Sequence, residues 1–140
     1  MAADKFLDTN ILVYAYDRDA AAKRDVALAI VEEAWNRPGV TAVSVQVLQE
    51  LYVNLERRGV PRAEATQIVA DFDDWPIVEN TVELLHSAFE EQSRWNISFW
   101  DALIVAAARA SGASELVSED LSHGQDYGGL RVLNPFRGPG

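Results

Sequence analysis

Short apolar or β-branched segments alternate along this chain with longer stretches of helical period, and that alternation restricts the fold more than any other feature. Residues 5–7 read as a short buried strand. A short helix over 9–16 follows, with Asp8, Thr9 or Asn10 as its cap. A second helix covers about 20–36, where Val26, Ile30 and Ala34 form one apolar row and Ala27, Val31 and Trp35 the next. Pro38-Gly39 turns the chain into a strand over Val40 to Val43. Ser44 then caps a helix over 45–58, and Gly59 ends it. Pro61 suits the first turn of another helix, over 61–73. Pro76 to Val78 supplies a third strand, and Asn80 with Glu83 has the form of a capping box for a helix over 81–94. Residues 99–111 are almost wholly apolar, which predicts a helix buried on all sides and ended by Gly112. Glu115 to Ser118 and Leu130 to Leu133 complete the strands.

Strands separated by helices predict an α/β domain with a mostly parallel central sheet. Ligands of such sheets gather outside the carboxyl ends of the strands. Asp8 falls at such an end, in the stretch KFLDTNILVYA. With 140 residues, one domain over 1–134 is expected, followed by a loose tail over 135–140 that carries two prolines and two glycines. The chain has no cysteine, no apolar run of membrane-spanning length and no basic-then-apolar leader pattern. No membrane partner and a cytoplasmic location are therefore expected.

The net charge is −10, so phosphate contacts alone would hold nucleic acid poorly. Four carboxylates offer another route. Asp8 follows the first strand, Glu50 lies in the helix after the second, Asp101 opens the apolar helix and Asp120 follows the fourth strand. Crowded carboxylates stay ionised only beside a neutralising cation, and hard ions such as Mg²⁺ or Mn²⁺ take oxygen ligands. A metal in such a cluster reverses the local sign of the charge, so an acidic protein can receive a phosphodiester. Each acid also has a plainer role. Asp8 can simply cap the helix after it. Asp101 can belong to the capping pattern begun by Ser98, Asp120 can be a turn residue, and Glu50 can be solvated opposite Leu48 and Leu55.

The ordered set FLDTNILVYAYD, VSVQVLQELYVNL, NISFWDALIVAAARASGASELVSEDLSHGQ and LRVLNPF resembles the PIN domain over almost the whole chain. Within that family it is similar to the toxin component of VapBC toxin–antitoxin systems. The resemblance implies a three-layer α/β/α fold and a metal-dependent ribonuclease using Mg²⁺ or Mn²⁺. It places the four catalytic acids on Asp8, Glu50, Asp101 and Asp120, with Asp8, Asp101 and Asp120 at the metal. Thr9, Asn10 and Ser118 would orient those carboxylates through hydrogen bonds. Partners implied are an RNA substrate, a small cognate antitoxin and a second copy of the chain. Glu119, next to Asp120, is a neighbour that could be mistaken for the fourth acid.

Lys23, Arg24, Arg57, Arg58 and Arg94 are the candidate RNA contacts. His86 and His123 read as surface or loop histidines. The residues also admit two other readings. One is a catalytically weak PIN-like protein-binding module. The other is a metal-dependent phosphatase, against which the missing second aspartate of an Asp-x-Asp after the first strand counts.

Overall fold

The structure is a computed structural model and describes residues 2–137. Five strands form one sheet: β1 (Lys5–Leu7), β2 (Thr41–Ser44), β3 (Ile77–Val78), β4 (Glu115–Val117) and β5 (Arg131–Leu133). Their order is β3-β2-β1-β4-β5, and every neighbouring pair is parallel. The chain first builds outward from β1 through β2 to β3, then returns to the other side of β1 for β4 and β5. The switch point of the sheet thus lies between β1 and β4, where a crevice opens beyond the strand ends.

Six α-helices flank the sheet: α1 (Thr9–Ala15), α2 (Ala22–Asn36), α3 (Val45–Arg57), α4 (Arg62–Ala70), α5 (Val82–Trp95) and α6 (Phe99–Ala110). A 3₁₀ turn over Asp71–Asp74 extends α4. α1 packs on α2 and α3, and α3 on α4. On the other side α5 and α6 pair, with α6 against β2 and β4. This is the α/β/α arrangement expected from the sequence. Phe6, Leu7, Ile11, Leu12, Val43, Val47, Leu51, Val105, Leu116 and Val117 are all essentially inaccessible to solvent, so both helical layers share one core with the sheet.

Several local readings need correction. The cap of α5 is Thr81, whose hydroxyl accepts the Leu84 N–H at 3.0 Å. Asn80 instead donates across to Gln49. α6 is not buried all round. Its Ala102 and Ile104–Ala108 face inward, but Trp100 is 65% exposed, and the helix is amphipathic despite its composition. In α2 the buried residues are Ala27, Val31 and Ala34, so the core-facing stripe mixes the two apolar rows. Residues 138–140 of the expected tail, like Met1, lie outside the described residues. Within 135–137, Phe136 packs edge-on against Tyr14 at 5.1 Å between ring centroids.

Candidate active site

Asp8 leaves the end of β1 in extended backbone and caps α1. Its N–H still donates to the Val117 carbonyl at 3.0 Å, so the ladder with β4 fixes the residue before the helix begins. One carboxylate oxygen accepts the Thr9 N–H at 2.8 Å and the other accepts the Ser118 hydroxyl at 2.7 Å. Ser118 is fully buried and in turn accepts the Asp120 N–H at 3.1 Å.

Asn10, one step into α1, ties the cluster together. Its amide donates to Asp120 Oδ2 at 3.1 Å and, more weakly, to Asp8 Oδ2 at 3.5 Å. Its carbonyl accepts the Glu119 N–H at 3.2 Å. The Thr9 hydroxyl donates to Glu50 Oε2 at 2.9 Å, and Gln46 holds the other Glu50 oxygen at 2.8 Å. Glu50 is exposed, as its helical period implies, yet it faces the crevice rather than open solvent on the far side.

Burial pushes the Asp8 carboxyl up to about 6. The bonds from Ser118 and Thr9 oppose that rise, and the Asp120 and Glu50 charges add to it. Ser118→Ala removes the strongest of the opposing bonds. The Asp8 pKa is expected to move further upward from about 6. A carbon-13 NMR titration of the Asp8 carboxyl would read this, and an unchanged or lower value would contradict it.

Asp8, Glu50, Asp120, Thr9, Asn10 and Ser118 are therefore joined by hydrogen bonds. Asp101 is not part of that network. It sits in the first turn of α6, where its N–H donates to the Ser98 hydroxyl at 3.1 Å. The connection from α6 through Gly112 into β4 puts the start of α6 at the end of the sheet where the strands finish. The Asp101 charge acts on the Tyr127 phenol, whose pKa rises first through burial and then through Asp101.

Of the candidate RNA contacts, Lys23 binds Glu119 at 2.5 Å and Arg58 binds Asp17 at 2.6 Å. Arg94 lies 4.4 Å over the Trp95 ring, and Arg57 closes α3. His123 accepts the Asn134 N–H at 3.0 Å and serves its loop, while His86 is exposed beside Phe89.

Sequence reasoning passed over a second cluster at the same rim. Tyr14 donates to Glu119 at 2.6 Å, and Lys23 lies over both the Tyr14 and Phe136 rings. The Lys23 and Tyr14 bonds hold the Glu119 carboxyl below its ordinary value. They separate the Glu119 carboxylate from that of Asp120, which alone of the two carboxylates accepts the Asn10 amide. The Asn10 to Tyr14 spacing of one helical turn was the available signal. Gln46 and Glu50, also one turn apart, were another.

The donor set is all carboxylate oxygen, the chemistry of Mg²⁺ and Mn²⁺ sites. Among the described residues no three Asp, Glu or His side chains stand close enough to cage an ion unaided. Mg²⁺ needs only one or two carboxylates and keeps several waters. Asp8 and Asp120, bridged by the Asn10 amide, meet that requirement, and a cation there would offset the burial and the neighbouring charges that raise Asp8.

A parallel α/β/α domain with carboxylates clustered at its switch point is suited to handling phosphate esters through a bound cation. Residues 5–124 match the PIN domain, and the chain belongs to that family. It is 29% identical to the ribonuclease VapC24 of Mycobacterium tuberculosis, over 96% of this chain and 98% of the relative. The Mycobacterium tuberculosis toxin VapC20, described as cleaving the sarcin–ricin loop, superposes with a TM-score of 0.61. Its identity is 25%, over 81% of this chain and 87% of that one. A toxin–antitoxin complex from Klebsiella pneumoniae shares the fold with a TM-score of 0.67 and 19% identity, over 95% and 98% of the two chains.

Proposed function

We propose that this protein is a metal-dependent ribonuclease and the toxin half of a type II toxin–antitoxin pair. The observation that carries the reading is the hydrogen-bonded set of Asp8, Asp120, Glu50, Asn10 and Ser118 at the sheet's switch point. The family relationship and the ribonuclease VapC24 support it.

Asp8 and Asp120 would hold Mg²⁺ or Mn²⁺, with Asp101 approaching from the start of α6. A bound ion of this kind neutralises phosphoryl oxygens and acidifies water. The chain's own groups do the rest. Ser118 and Asn10 fix the two aspartates in one orientation. Glu50, steadied by Thr9 and Gln46, is the carboxylate available to take a proton from the attacking water.

No helix among the described residues is long and apolar enough to cross a membrane. Action in the cytoplasm belongs to the proposed reading. Two protein partners belong to this reading. One is a small antitoxin, whose basic side chain the acidic crevice would receive. The other is a second copy of the chain, a reading supported by the exposed Val82, Phe89 and Trp100 on α5 and α6.

The test is cleavage of a mixed RNA pool with Mg²⁺, with Mn²⁺ and with EDTA, using wild type and Asp101→Asn. Cleavage is expected only with metal, and Asp101→Asn is expected to reduce it by at least about tenfold. Full cleavage in EDTA would sink the metal-dependent reading, and an unaffected Asp101→Asn would remove Asp101 from the site.

A further inference from the structure

A second cleft lies at the far end of α1 and α3. Two cross-links show how the helices run. Thr9 bonds Glu50 at the start of α1, and Asp17 bonds Arg58 just beyond its end, each pair separated by 41 residues. The helices therefore lie side by side in the same direction, with the carboxylate crevice at one end of their seam. At the other end is a cleft of about 660 Å³. The two ends are about 12 Å apart at the helical rise per residue.

This cleft differs in charge from the rest of the molecule. Arg18, Arg24 and Arg58 line it together with Asp17, Asp19 and Glu64, so its charges balance in a chain of net charge −10. Asp17 is already engaged, by the Arg58 guanidinium at 2.6 Å and by the Asp19 N–H at 3.0 Å. Arg24 has no ion pair and no side-chain hydrogen bond among the described residues. Its Nε is the one buried side-chain nitrogen or oxygen there without a partner. Such a group is unfavourable by about 1–3 kcal/mol unless something pairs with it.

The position of Arg24 adds to this. Lys23 and Arg24 both fall in the first turn of α2, where the helix dipole favours negative charge. Lys23 is already paired with Glu119 and Asp25 adds a negative charge to the same turn, so Arg24 is the cation at that end with no ion pair among the described residues.

We infer that the cleft between the ends of α1 and α3 is a phosphate subsite, in which Arg24 with Arg18 receives a backbone phosphate of the RNA about 12 Å from the bond cleaved at Asp8. The inference rests on the nuclease reading for its choice of phosphate donor. The subsite reads no base, so it adds affinity without sequence preference.

The test is binding of a fluorescein-labelled single-stranded RNA by the whole protein in EDTA, followed by anisotropy across a range of salt. Arg24→Gln is expected to weaken binding on the order of fivefold for several unrelated sequences and to lower the salt slope by about 0.7. Arg18→Gln, in an exposed turn, is expected to act in the same direction and stands in should Arg24→Gln fail to fold. Arg37→Gln, which removes an exposed charge paired only with Glu33, is the control and is expected to match wild type.

Binding by Arg24→Gln and Arg18→Gln equal to wild type overturns the subsite and leaves the nuclease reading intact. An equal loss in Arg37→Gln overturns it too, by reducing the effect to net charge. Lost affinity for a poly-glutamate peptide with RNA binding unchanged would assign the cleft to an acidic protein segment instead. Weakened RNA binding by Arg24→Gln, in a wild type that cleaves no RNA with either metal, would keep the subsite and remove the nuclease.

Discussion

Asp8→Asn is expected to lower RNA cleavage by at least about a hundredfold and, in the same protein, to raise the melting temperature in metal-free buffer at pH 8. The two effects have one cause. Asp8 is 8% exposed and faces the Asp120 and Glu50 charges, so its carboxyl titrates near 6 rather than 3.8. Between those two pH values the folded chain holds a proton that the unfolded chain has lost. Stability therefore falls as pH rises through that window, and above about 6 the full penalty stands, about 3 kcal/mol.

An asparagine carries no charge to desolvate, but its amide nitrogen cannot accept the Ser118 or Thr9 bond. A net gain of about 1–2 kcal/mol remains, or several degrees of melting temperature. Differential scanning calorimetry at pH 5 and pH 8 reads both the sign and the window. The gain should shrink at pH 5 and grow at pH 8. A variant melting below wild type at pH 8 would mean that Asp8 is not a strained charge.

The second large effect lies away from the crevice. Glu91 on α5 is buried, accepts two bonds from the Arg109 guanidinium at 2.7 and 3.2 Å, and takes the Trp95 indole N–H at 2.6 Å. Arg109 also donates to the Tyr127 carbonyl at 2.7 Å, so one side chain fastens α6 to α5 and to the loop before β5. Burial pushes the Glu91 carboxyl up, but the Arg109 and Trp95 bonds together outweigh it and leave the group below its ordinary value.

Arg109→Met strands that carboxylate. The expected loss is about 2–3 kcal/mol, at or just below the low end of the range for broken buried pairs because the arginine is partly solvated. Urea unfolding should show a lower midpoint with an unchanged slope. Replacing both partners, Glu91→Leu with Arg109→Met, should recover much of the loss, since no charge is then left unpaired. A double variant as unstable as the single one would place the stabilisation in packing rather than charge.

How much of this the sequence carried differs by level. The βα alternation gave all five strands, their parallel sense and the placing of Asp8, because hydrophobic period and turn residues are local signals. Ser44 and Ser98 were readable as caps for the same reason. Thr81 was missed because Asn80 beside it suits the same role, and one residue of register decides between them. The all-apolar look of α6 concealed its solvent side, since Trp100 adds to hydrophobicity whether or not it is buried.

At the site, the acids were legible only as an ordered set. The bonds that make them a unit join residues 110 positions apart, as with Ser118 and Asp8, and no periodicity reports such pairs. The Glu91–Arg109 pair and the unpartnered Arg24 were invisible for the same reason. Each depends on which helices lie side by side.

The dependence of Asp8 on Ser118 and Val117 has a consequence in time as well as in space. Asp8 and Asn10 leave the ribosome well before the hydroxyl and the backbone carbonyl that seat Asp8, since Ser118 lies 110 positions further along. A nascent fragment ending before β4 can form α1 but holds its aspartate in water, ordinary in acidity and without neighbours. The carboxylate cluster therefore assembles late in synthesis, only once β4 and Ser118 have emerged.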